Sequence, residues 1–161
     1  MEDTIAAIAT PPGEGGIGII RISGENALPI LLSIFRKPSG SAFESFIDRK
    51  LTYGSVVSGD GSVLDEAMAV FMRGPHSYTG EDVAEIQCHG SYLSLRRILE
   101  LVLSKGASMA GRGEFTKRAF LNGRIDLSEA EAVIDIIRAR SDRSLNAAVS
   151  QLRGSLSRSE Q

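Results

Sequence analysis

Two charged residues stand in runs that are otherwise apolar. Arg21 is flanked by Ile19, Ile20 and Ile22, and Glu85 lies between Ala84 and Ile86. If Val83 to Gln87 is a strand, its side chains alternate, so Val83 and Glu85 share one face and Ala84 and Ile86 the other. A charge in such company needs a donor, an acceptor or water. Arg21 and Glu85 can answer each other as a structural ion pair, or both can reach a ligand. The residues alone leave those two readings even. Glu81 and Asp82 add two nearby carboxylates, in a stretch (Tyr78-Thr79-Gly80-Glu81-Asp82) that reads as a loop leading into the strand.

Other chemistry fails on its context. Gly13, Gly15 and Gly18 match G-x-G-x-x-G in form. A dinucleotide site needs that run to open a helix, so that backbone N–H groups and the helix dipole meet a pyrophosphate. Here it opens into Ile17–Ser23, a β-branched run that reads as a strand, and no acidic residue follows at the expected distance. Such glycines still allow close backbone approach. No segment matches G-x-x-x-x-G-K-[ST], so nucleotide binding through a standard P-loop is not expected. Cys88 and His89 are neighbours on a strand and point to opposite faces, which does not suit a thiol–imidazole pair. Cys88 reads as a buried structural residue. With two histidines, His76 and His89, and no convergent ligand spacing, no zinc site is expected.

The elements that would position these residues follow from pattern. Ile5–Thr10 reads as a strand ended by Pro11-Pro12-Gly13. Leu28, Leu31, Leu32 and Phe35 recur at helical spacing over Ala27–Phe35, with Pro29 tolerated in the first turn. Arg36–Ser41 reads as a connection. Leu51–Val57 and Leu64–Met72 form a strand pair around Gly59-Asp60-Gly61, a hairpin turn. Val83–Cys88 is a further strand. Tyr92–Leu103 is a helix, with Leu95, Ile98, Leu99 and Val102 on one face and Gly106 as its stop. Phe115–Leu121 is a short helix ended by Asn122-Gly123.

From Asp126 the texture changes. Ser128 and Glu131 match a capping box, with Asp126 a second candidate cap. Ala130, Val133, Ile134, Ile137 and then Leu145, Ala148, Val149, Leu152 and Leu156 repeat at helical spacing. This is one long amphipathic helix, or two joined near Ser141-Asp142, and such a stripe needs a partner surface. Hairpin strands mixed with separate helices predict an α+β class, with a mixed or antiparallel sheet and packed helices. The predicted division is 1–122 for that domain and 123–161 for the start of a helical one.

Bulk properties narrow the function. Hydrophobic residues make up 42% and charged residues 24%, ample for a buried core. No apolar run approaches the roughly 18 residues of a membrane span. The opening MEDTIAAIAT has no basic region, so a secretory signal is not expected. One cysteine suits a reducing cytoplasm. A formal net charge of -2 is not the basic footprint of a dedicated nucleic-acid binder. Arg138, Arg140, Arg143, Arg153 and Arg158 read as a solvated helix face.

Three longer segments coincide: DTIAAIATPPGEGGIGIIRISG (Asp3–Gly24), GPHSYTGEDVAEIQCHG (Gly74–Gly90) and GEFTKRAFLNGRIDLSEAEAV (Gly113–Val133). In order and spacing they resemble the amino-terminal region of the tRNA-modification GTPase family called MnmE or TrmE, over nearly the whole chain. The resemblance implies an α+β domain similar to folate-binding aminomethyltransferase domains, which forms a homodimer and binds 5-formyl-tetrahydrofolate or a related one-carbon folate. It implies a following helical domain with a GTPase domain inserted in it, to which GTP, Mg²⁺ and K⁺ belong and which this chain lacks. It also implies a flavoprotein partner, MnmG or GidA, with which the enzyme modifies C5 of the wobble uridine of certain tRNAs, and no membrane. On this reading the chain alone is inactive as a GTPase.

Family folate contacts fall on Arg21 in GIIRISG, Glu85 in GEDVAEIQ and Arg124 in FLNGRIDL. The family often has Lys at the position of Arg124, which keeps charge but not geometry. A further basic contact and a cysteine motif belong to the family's carboxyl terminus, and Cys88 does not inherit that cysteine's role. His89-Gly90-Ser91 replaces the usual His-Gly-Gly. Two other functions compete: a structural dimerisation module without ligand, and a free-standing aminomethyltransferase-like enzyme.

Overall fold

The computed structural model describes residues 3–10, 16–89, 91–140 and 142–143. The chain divides into two compact units, Met1–Gly111 and Arg112–Gln161. In the first, β1 (Ile5–Thr10), β2 (Gly18–Ser23), α1 (Ala27–Ile34), β3 (Phe35–Arg36), β4 (Thr52–Val57), β5 (Val63–Met72), β6 (Val83–Cys88), α2 (Tyr92–Ser104) and β7 (Ser108–Met109) follow in order. The strands form one seven-stranded sheet in the order β3-β4-β5-β6-β2-β1-β7. All neighbours are antiparallel except β1 and β7, which run parallel, so the predicted mixed α+β class holds.

Strand alternation decides where the core sits. Ile20 and Ile22 of β2, Ala84, Ile86 and Cys88 of β6, and Ala67, Ala69 and Phe71 of β5 point to one face. Ile30, Leu31 and Ile34 of α1 and Leu95, Ile98, Leu99 and Val102 of α2 close over them. Both helices therefore bury their apolar stripes on the same side of the sheet. Gly18 matters here: a Cβ at that position would lie 2.7 Å from Leu95 Cδ2. The last glycine of the formal dinucleotide pattern thus lets α2 approach β2, inside a strand.

The β4–β5 turn folds around Asp60, whose carboxylate accepts from the Ser58 hydroxyl, from Ser62 N–H at 2.9 Å and from Ser62 Oγ at 2.6 Å. The Ser58 and Ser62 hydroxyls hold that carboxyl well below the usual carboxylate range. Two elements correct the sequence reading. Phe35 and Arg36 leave α1 and form β3 against Val56 and Ser55, where a connection is expected from Arg36. Ser108 and Met109 add β7 beside Ile5 and Ala6.

In the second unit, α3 (Glu114–Leu121) starts at Gly113, whose φ of 74° suits glycine. A further helix spans 127–140. A Cβ on Gly113 would meet Ile134 Cγ1 at 3.6 Å, so the start of α3 lies against this helix. Its cap corrects the Ser128/Glu131 expectation. Asp126 Oδ1 accepts from Glu129 N–H at 2.7 Å, and Glu129 Oε1 accepts from Asp126 N–H at 3.3 Å. The capping box is Asp126, the second candidate cap, with Glu129, two residues earlier. The stripe from Leu145 to Leu156 lies outside the described residues.

Candidate functional site

The face of the sheet opposite α1 and α2 carries Arg21 and Glu85. The β2–β6 register sets Arg21 directly across from Glu85. Arg21 Nε donates to Glu85 Oε2 at 2.8 Å, with the side chains 26% and 17% exposed. The charges that neighbour apolar residues in sequence are thus sorted by alternation. Their neighbours Ile20, Ile22, Ala84 and Ile86 are in the core, and the charged pair meets on the other side. The ion pair, one of the two even readings, is formed. Among the described residues Glu85 Oε1 accepts no hydrogen bond.

A loop from Gly74 to Asp82 is held over this face by polar bonds. Ser23 shares the face of Arg21, two residues on. Its hydroxyl donates to Glu81 Oε1 at 2.8 Å and lies 2.7 Å from Thr79 Oγ1. One hydroxyl has one proton, so Thr79 donates to Ser23. Thr79 Oγ1 in turn accepts from Glu81 N–H at 3.2 Å. Ser77 Oγ donates to the Glu81 carbonyl, and Gly74 N–H to Asp82 Oδ1 at 2.9 Å. Ser23, Ser77 and Thr79 are all buried. The loop so anchored sets the Tyr78 ring against Arg21, with the guanidinium carbon 5.5 Å from the ring centroid. At that distance a guanidinium and an aromatic face attract.

The third expected contact, Arg124, belongs to the second unit. It stands exposed in the turn after α3, and its backbone N–H donates to the Ala119 carbonyl at 2.8 Å. The structure therefore brings Arg21 and Glu85 together within the first unit, with Arg124 on a separate element. Cys88 is 1% exposed in the core, and burial pushes its thiol up to about 12. It is the inert residue expected, and His89 is exposed. A cavity of about 320 Å³ at the β4–β5 turn is lined by Arg36, Lys37, Ser55 and Val63 among others, and does not include the Arg21–Glu85 pair. Among the described residues no His, Cys, Asp and Glu group could hold a metal ion, and no helix is long and apolar enough to cross a membrane.

Sequence reasoning missed Tyr78 and the Ser23–Thr79–Glu81 cluster. Strand alternation does put Ser23 on the face of Arg21, and that signal was available. The path of the loop was not.

These features define a class: an α+β module whose mixed sheet has helices on one face and a charged pair, flanked by a pinned loop, on the other. Residues 4–124 match the family model described as GTP-binding protein TrmE N-terminus, and the chain belongs to that family. It is 58% identical over 158 residues to tRNA modification GTPase MnmE of Clostridioides difficile (strain 630), covering 98% of this chain and 34% of that protein. It is 60% identical over 155 residues to the protein of that name from Symbiobacterium thermophilum, covering 96% and 34%. It is 59% identical over 158 residues to the one from Geobacter sulfurreducens, covering 98% and 34%. The chain thus spans about a third of the length of these relatives.

Proposed function

We propose that this chain is the amino-terminal part of a tRNA-modification GTPase, and that its first domain binds a one-carbon folate and pairs with a second copy of itself. The observation that carries the proposal is the Arg21–Glu85 pair on the open face of the sheet. A reduced pterin presents adjacent N–H donors, which a carboxylate such as Glu85 accepts well. The anionic glutamate tail of a folate suits Arg21 or Arg124. Arg124 is proposed as a contact because it occupies the family's FLNGRIDL motif. The favoured ligand is 5-formyl-tetrahydrofolate or a close relative.

In the whole protein, hydrolysis of GTP with Mg²⁺ and K⁺ belongs to a GTPase domain inserted in the helical domain that starts near residue 123. With a flavoprotein partner (MnmG or GidA) the complete enzyme modifies C5 of the wobble uridine of certain tRNAs in the cytoplasm. The experiment is a calorimetric titration of the chain with 5-formyl-tetrahydrofolate, beside the Arg21→Ala, Glu85→Ala double variant. Saturable binding near one folate per chain, lost in the variant, supports the proposal, and no binding by the wild type refutes the folate part.

A second reading has an observation of its own. Arg21 and Glu85 already satisfy each other at 2.8 Å, as a purely structural pair in a dimerisation module would. Light scattering on the same sample separates the readings, because a dimer that ignores folate favours the structural one.

A further inference from the structure

We infer that the cavity at the β4–β5 turn is a binding site for a phosphate group. It does not include the Arg21–Glu85 pair, and the inference stands apart from the folate reading. The β3–β4 register sets Arg36 across from Ser55, and the turn after β4 brings Ser58 and Gly59 to the same cavity. Two cations, Arg36 and Lys37, line this space of about 320 Å³, and no Asp or Glu does. In a chain with 20 acidic residues against 18 Lys and Arg, that is a local surplus of positive charge.

The donors around the cavity are unspent. Arg36 Nη1 donates to the Leu32 and Phe35 carbonyls at 3.0 and 3.2 Å, which anchors the guanidinium at the end of α1. Among the described residues its Nε and Nη2 donate to nothing, and no carboxylate pairs with Arg36 or Lys37. The Nε–Nη2 edge can hold two oxygens of one anion side by side. The Lys37 ammonium lies 5.8 Å from the Phe43 ring centroid and has no oxygen partner among the described residues. The Ser55 hydroxyl and the Gly59 N–H likewise make no hydrogen bond to a described group. Carboxylates close in sequence or register are already engaged. Asp60 accepts from Ser58 and Ser62, and Glu66, paired with Ser55 across the sheet, accepts from the Tyr53 hydroxyl at 2.8 Å.

A guanidinium edge, an ammonium, a hydroxyl and a backbone N–H thus line one concave space without an acceptor of matching charge. A carboxylate offers two oxygens in one plane. A phosphate group offers three or more around a tetrahedron and up to two negative charges, which answers donors on different sides and two cations. The turns leave it room: a Cβ on Gly40, Gly59 or Gly61 would meet nothing within 4 Å. The volume is at the small end of ligand pockets, about 300–1,000 Å³, and suits a phosphate with the sugar that carries it. Such a group can come from a small phosphorylated molecule or from an RNA backbone.

The test is nuclear magnetic resonance titration of the full chain with inorganic phosphate, against chloride at equal ionic strength. The Ser55 and Gly59 amides should shift saturably. Lys37→Met should weaken binding about three- to tenfold, and Arg36→Lys, which keeps charge and loses the edge, about threefold or more. Lys105→Met, an exposed lysine away from the cavity, should change nothing. Arg36 also anchors α1, so Lys37→Met decides if Arg36→Lys disturbs the fold. Two further probes name the source. Saturation at lower concentration with a ribonucleoside 5′-monophosphate assigns the site to a small molecule. Saturation with a short RNA lacking terminal phosphates, with a salt slope reduced by about one in Lys37→Met, assigns it to an RNA backbone. Shifts that never saturate, or that are the same in Lys37→Met as in wild type, overturn the inference.

Discussion

The Arg21–Glu85 pair can be weighed on its own, without ligand. Two unit charges 2.8 Å apart attract by about 6 kcal/mol at an effective dielectric of about 20. Most of that gross figure is offset, because both side chains have given up most of their hydration, at 26% and 17% exposure. Fully exposed pairs are worth about 0–1 kcal/mol, and breaking a fully buried one costs about 3–5 kcal/mol. This pair lies between, so a coupling energy of about 1–2 kcal/mol is expected. The perturbations are Glu85→Gln, which keeps the shape and one acceptor, and Arg21→Met, which keeps an apolar stem. Each should destabilise the chain in urea unfolding, because each takes from the other charge its partner at 2.8 Å on a half-covered sheet face. The double variant should be more stable than the two single losses add up to, and the difference is the coupling. It should persist at 0.5 M salt, since screening acts weakly on pairs withdrawn from solvent. A coupling below about 0.3 kcal/mol would refute the reasoning: the two groups would then be neighbours without being energetically joined.

Further outcomes are expected from the same chain. Gly54→Ala would put a methyl 2.4 Å from the Arg36 carbonyl oxygen and 2.6 Å from the Phe35 ring, so thermal unfolding should show a loss of about 2 kcal/mol or more. Gly59→Ala, with open space around it, should stay within about 0.5 kcal/mol. Cys88 should resist thiol reagents at pH 8 until the chain is unfolded, as its burial requires. The folded chain keeps the Cys88 proton to about pH 12, whereas the unfolded chain releases it near 9.0. The unfolded state binds fewer protons across that window, so stability should fall with rising pH there, by up to about 1.4 kcal/mol per unit. Cys88→Ala should remove that part of the slope in urea unfolding measured at each pH. Asp126→Ala removes the acceptor for Glu129 N–H and should lower helicity by circular dichroism, at a cost of about 1 kcal/mol.

What could be read in advance depended on how local the cause was. β6 runs from Val83 to Cys88 as expected, because an apolar–polar alternation covers it from Ala84 to Cys88. α2 ends one residue late, at Ser104, and Gly106 closes it as expected. β7 was not legible, since two residues carry no period and owe their state to β1. The cap of the last helix was ambiguous for a specific reason: a capping residue followed three positions on by Glu occurs at both Asp126–Glu129 and Ser128–Glu131, and only the fold chooses. At the site, the types of Arg21 and Glu85 pointed to a partnership, and the residues left open what kind. Their meeting depends on a register between strands 64 residues apart. Tyr78 was further from reach, because its position follows from a loop whose anchors, Ser23, Thr79 and Glu81, become a cluster only once β2 and β6 are side by side.

That register has a consequence for how the chain finds its fold. In a strand, a slip of one residue turns every side chain to the opposite face. If β2 slid by one against β6 with its faces exchanged, Arg21 would enter the space of Ile20 and Ile22, and a similar slip of β6 would send Glu85 among Ala84 and Ile86. An unpaired charge in that interior costs several kcal/mol, on the scale of a whole domain's stability. The two central strands are otherwise rich in aliphatic residues that would tolerate several alignments. Arg21 and Glu85 therefore work as an error check on assembly: among the alignments open to the sheet, they penalise those that would bury them and favour the one that leaves them facing each other.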